Sequence, residues 1–140
     1  MELLLPEIVS VGIFSTQNVS NNKSLTKKRT TTMFEIEIPI EKGGISYINS
    51  QAAQIEPTLI ICAKPGKTRQ TMLPFKCYYI HFILNNGDLY ERLLDIPDFV
   101  TTDNFEKYKC IFEKMYKLFE TPDEDTELIL QSLVLELIYT

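Results

Sequence analysis

Over the first hundred residues, short strand-like runs, some alternating and some apolar on both faces, are separated by polar turns. The apolar positions then change to three- and four-residue spacing. The clearest alternation is residues 33–40, MFEIEIPI. Phe34, Ile36, Ile38 and Ile40 share one face, and Glu35 and Glu37 take the other. Such a pattern predicts a strand with its apolar face inward and both carboxylates in solvent. Pro39, on the outward side, predicts an edge position or a strand end. Residues 8–14 (IVSVGIF) read as an earlier short strand, and residues 15–32 as a polar loop or mobile arm. Gly43-Gly44 predicts a hairpin turn into residues 45–49; a turn at Ser50-Gln51 leads to residues 52–55. Residues 58–63 (TLIICA) have the composition of a buried strand, and Pro65-Gly66 turns into residues 69–75. Residues 77–84 (CYYIHFIL) put Cys77, Tyr79, His81 and Ile83 on one face and Tyr78, Ile80, Phe82 and Leu84 on the other. Both faces are apolar or aromatic, as in a strand covered on both sides. Asn85 to Asp88 is a turn signal, and residues 89–99, with Pro97, read as irregular. Short strands at this spacing predict a small all-β barrel or sandwich.

After Val100 the period is helical. Phe105, Tyr108, Phe112, Met115 and Phe119 form one apolar face of a helix of about five turns, with Asp103 and Glu106 at capping-box spacing. Thr121-Pro122-Asp123 stops it. A second helix starts near Asp125 and is apolar almost all round. Such a helix needs cover on more than one side. Leu130, Leu133, Val134 and Leu137 are therefore expected at a homodimer interface, with burial inside the domain as the alternative. The helix reaches Thr140 without a stop signal, so a longer parent chain is expected.

Charge and composition narrow the function classes. The net charge is −5, and residues 103–140 carry nine acids against four bases. No basic stripe is present, so DNA contact by this chain is not expected. The longest apolar runs are too short for a membrane span, and the N-terminus lacks a signal-peptide pattern, which makes a cytoplasmic location the default. Cys62, Cys77 and Cys110 are widely spaced and read as small buried hydrophobes. A single histidine, His81, leaves no credible catalytic triad or metal set; no catalytic residue, metal or cofactor is expected. Recognition remains. Tyr79, Cys77 and His81 share a face, and Arg69 and Thr71 share a face of the preceding strand. If both faces point inward, they form a ligand pocket with an aromatic wall and a few polar groups. Core packing of Tyr79 and a surface salt bridge at Arg69 are the plainer alternatives. Lys27, Lys28 and Arg29 either solvate the loop or send one of their side chains into the pocket to hold an anionic or hydroxylated ligand.

Pro65-Gly66, Arg69 and the run Tyr78-Tyr79-Ile80-His81-Phe82 resemble the N-terminal sensor domain of AraC/XylS-type bacterial transcription regulators. Residues 43–49 and 55–61 fit the same pattern, although Pro57-Thr58 stands where that family usually has Pro-Gly. The resemblance covers residues 33–140. It implies a cupin-like double-stranded β-helix barrel followed by two antiparallel α-helices. It also implies an arm over residues 1–32, a ligand-binding barrel over 33–100, a dimerising helical region over 101–140, and a helix-turn-helix domain beyond residue 140. Arg29, Arg69, Thr71, Cys77, Tyr79 and His81 are the expected contacts of a small effector, with a sugar the family's commonest. DNA would be reached only through the further domain. Two other readings stay open: a metal-independent cupin enzyme such as a sugar epimerase or isomerase, and a ligand-free interaction module.

Overall fold

Strand β8 (Lys76–Ile83) stands between two layers, and its alternation decides what each layer receives. The computed structural model describes residues 4–16 and 25–139. Before β8 come β1 (Glu7–Ser15), β2 (Arg29–Thr30), β3 (Phe34–Pro39), β4 (Ile45–Ile48), β5 (Gln51–Gln54), β6 (Leu59–Ala63) and β7 (Thr68–Met72). After it come α1 (Asp88–Asp95), β9 (Phe99–Thr101), α2 (Phe105–Glu120) and α3 (Thr126–Ile138). Among the described residues the strands form two antiparallel sheets, ordered β1-β8-β3-β6-β9 and β2-β7-β4-β5. The fold is mainly β and barrel-like.

The five-stranded sheet is covered on both faces. One face sends Phe34, Ile36, Ile38, Ile80 and Phe82 against Phe112, Met115, Leu130 and Val134 of the helices. Phe34 stacks on Phe82 at 5.4 Å between ring centres, and Tyr78 lies 6.3 Å from Phe112. The other face meets the four-stranded sheet through Ile61, Ala63 and Cys77 against Ile48, Leu73 and Phe75. Of the two-sided burial expected of residues 77–84, the face with Ile80, Phe82 and Leu84 is buried, whereas Tyr79, His81 and Ile83 on the other are half-buried.

Several expectations change. Strand β3 is central, between β8 and β6, not at an edge; Pro39 is tolerated as its last residue. A central strand between two covered faces leaves no solvent side, so Glu35 and Glu37 are only 3% and 6% exposed. The Gly43-Gly44 segment is a crossover between sheets, since β3 and β4 belong to different ones. A Cβ on Gly44 would lie 1.9 Å from the Met72 carbonyl oxygen, so only glycine fits there. The true hairpin joins β4 to β5 through Asn49, which has φ 52°. Residues 88–95 form a helix rather than irregular chain, with Leu89 and Leu93 one turn apart and both buried. Cys110 is exposed, unlike Cys62 and Cys77.

The polar arm expected over 15–32 falls partly on residues 17–24, outside the described residues. The rest is tied down. Arg29 and Thr30 pair with Arg69 and Thr68, and Leu25 bridges Met72. Helix α2 begins after Asn104 rather than Asp103, without a side-chain cap, so the capping box does not form. Leu130, Leu133, Val134 and Leu137 pack inside the chain's own core rather than at a dimer face. The sheet and α2 cover α3 on two sides, while Leu128 and Ile129 stay exposed. Helix α3 ends at Ile138 with Tyr139 as its cap. No helix among the described residues is long and apolar enough to cross a membrane.

Candidate functional site

The space between the sheets is not filled by side chains alone. At one end it opens into a cavity of about 330 Å3. Arg29 reaches it from β2, Arg69 and Thr71 from β7, and Cys77, Tyr79 and His81 from β8. All six residues nominated from the sequence thus border one cavity. The shared faces follow from strand period: Arg69 and Thr71 are two apart, as are Cys77, Tyr79 and His81. Phe14, Thr26, Lys27, Glu37 and Phe75 complete the lining.

Its polar wall is an ion-pair network. The Arg69 guanidinium donates from Nη1 to Glu35 Oε1 at 2.8 Å and Glu37 Oε2 at 2.9 Å. From Nη2 it donates to Glu37 Oε1 at 2.9 Å and to Ser46 Oγ at 3.4 Å. Arg29 donates both terminal nitrogens to Glu35 at 2.7 Å, a bidentate pair. Burial opposes the charge on Arg69, but Glu37 and Glu35 outweigh it and raise its pKa. Burial also opposes ionisation of Glu35, yet hydrogen bonds and charge from Arg29 and Arg69 hold its carboxyl below the ordinary value of 4.5. The Arg69 Nε is buried and has no hydrogen-bond partner among the described residues.

Beside the acids, on the adjacent strand β8, the lining turns aromatic, with Tyr79 in register with Glu37 and His81 with Glu35. Tyr79 and His81 lie 4.8 Å apart between ring centres, and Phe14 and Phe75 lie 5.9 Å apart. The Tyr79 hydroxyl is 3.3 Å from Ser10 Oγ. Burial lowers the His81 pKa, favouring the neutral imidazole. Burial raises the Cys77 thiol, which suits a packed side chain rather than a nucleophile.

One expectation about metals is corrected. Glu35, Glu37 and His81 each bring a possible ligand atom within 4.8 Å of the others, so a cluster exists where none was foreseen. Both carboxylates are already bound by guanidinium groups. A divalent cation there would have to displace Arg29 or Arg69 and would add charge to a network already balanced. Glu35 and Glu37 are the members missed from the sequence. The available signal was electrostatic: two arginines expected inside a barrel need buried acids. No protein-family model and no curated protein matches this chain.

Proposed function

We propose that this chain is a small-molecule-sensing domain of the AraC/XylS regulator type. The effector sits between the two sheets, in a cupin-like barrel. The observation that carries this reading is the convergence of Arg69, Thr71, Cys77, Tyr79 and His81, with Arg29, on one cavity. Its make-up supports binding: an aromatic wall, a rigid charged wall and a few free polar groups are what orient a small ligand. Catalysis has less support, because both acids at the site are held by arginines and the remaining base, His81, has no acid partner free of them. In this reading DNA is recognised by a separate domain, and the acidic balance of this chain agrees with that division. The effector acts by favouring one arrangement of the arm, whose Thr26, Lys27 and Arg29 border the cavity.

Thermal melting against a panel of sugars, sugar acids, carboxylic acids and their neutral amides tests the reading. A ligand at a hundred times its Kd stabilises by about 2.7 kcal/mol. The expected result is at least one such compound, with the shift lost in Tyr79→Ala. A panel without any stabilising compound sinks the sensor reading.

A further inference from the structure

We infer that the cavity takes a small organic monoanion, a carboxylate with an apolar body, and that Lys27 is its charge partner. The inference rests on the sensor reading and sharpens it. Its basis is the charge inventory of the cavity. Three cations border it, Lys27, Arg29 and Arg69. Two carboxylates, Glu35 and Glu37, answer the two guanidinium groups. Arg69 spends its four terminal N–H groups within the network, and the charge of Arg29 is answered by its bidentate pair with Glu35. Lys27 is left as the cavity cation without an ion-pair or hydrogen-bond partner among the described residues.

An acceptor-rich group in the cavity answers the Lys27 ammonium. One uncommitted cation matches one negative charge; a dianion such as a phosphate ester would leave charge unpaired beside Glu37. The remaining wall, Phe14, Phe75 and the Tyr79 ring, suits an apolar or planar body. A neutral polyol would leave Lys27 unused and would set few hydroxyls against these rings.

Isothermal titration calorimetry with matched acid and amide pairs tests this: phenylacetate against phenylacetamide, and hexanoate against hexanamide, with xylose and glucose as neutral polyols. At least one acid is expected to bind about tenfold tighter than its amide, the loss expected for one charge-assisted hydrogen bond. Lys27→Gln should remove that tenfold and leave the amide unchanged, while Lys27→Arg keeps it. Lys27 is exposed, so these variants fold. Raising the salt should weaken the acid and not the amide. Amides binding as tightly as acids, or acid affinity unmoved by Lys27→Gln, overturns the inference. A neutral sugar that binds while no acid does overturns it too, but leaves the sensor reading standing. Failure of every compound defeats both.

Discussion

Arg69 holds two carboxylates that the fold has taken out of water. The side chains of Glu35 and Glu37 are 5% and 7% exposed, and their charges are tolerable only because Arg69 lies between them and Arg29 closes the outer side. Arg69→Met removes the central cation and leaves the acids behind. It is expected to cost about 3–5 kcal/mol at neutral pH in urea unfolding, the usual price of stripping one partner from a buried pair. Glu35 also sets a pH dependence. Its folded pKa lies below the ordinary 4.5, so its contribution is present above that value and is lost as pH falls through the lower, folded one. Wild type should therefore exceed Glu35→Gln in stability at pH 7, and the two melting curves should converge in acid. A gap that persists at low pH counts against this assignment. The alternation MFEIEIPI correctly separated Phe34, Ile36 and Ile38 from Glu35 and Glu37. It could not tell which of two covered faces each set enters, because period two gives sides and not surroundings.

Strands β1 and β8 are joined by a glycine–tyrosine pair. Gly12 lies opposite Tyr79 in the register, and a Cβ at Gly12 would come within 2.8 Å of the Tyr79 hydroxyl and 3.0 Å of its ring. The missing side chain makes the space in which the ring lies against the neighbouring strand, so β1 positions one wall of the cavity. Gly12→Ala should push the ring away and cost about 1–3 kcal/mol, the range for overpacking. A double-mutant cycle checks the cause. In a Tyr79→Ala background the same change should cost little, giving a coupling energy well above the ~0.5 kcal/mol expected of independent sites. Additive costs would rule out the contact. At this scale the sequence was informative where a pattern was long. The long apolar stripe of α2 predicts a helix, and one is present, but Phe119 on that stripe is 37% exposed while Ile111 beside it is buried. Helix α1 has eight residues and one buried pair, Leu89 and Leu93, too few to distinguish a helix from irregular chain beside Pro97.

The whole molecule is three layers, with the five-stranded sheet in the middle and its two faces serving different ends. Toward the helices it is apolar throughout, and this is where most of the large buried side chains lie. Toward the second sheet it carries the ion pairs and the cavity. A helix apolar almost all round could mean either a partner chain or burial within the domain, and composition alone does not separate them. The layers do, because α3 is enclosed by sheet and α2, and its open side holds Leu128, Ile129, Ser132 and Glu136. The two kinds of leucine on α3 should therefore behave differently. Leu133 is 8% exposed within the core, whereas Leu128 is 62% exposed. Leu133→Asp buries an unpaired carboxylate and should cost several kcal/mol, with loss of the near-ultraviolet circular dichroism of the packed tyrosines. Leu128→Asp should leave thermal stability within about 0.5 kcal/mol. Sedimentation of the two variants then separates folding from association. A Leu133→Asp chain that stays folded but becomes smaller would return α3 to the role of an interface helix and contradict the enclosed packing.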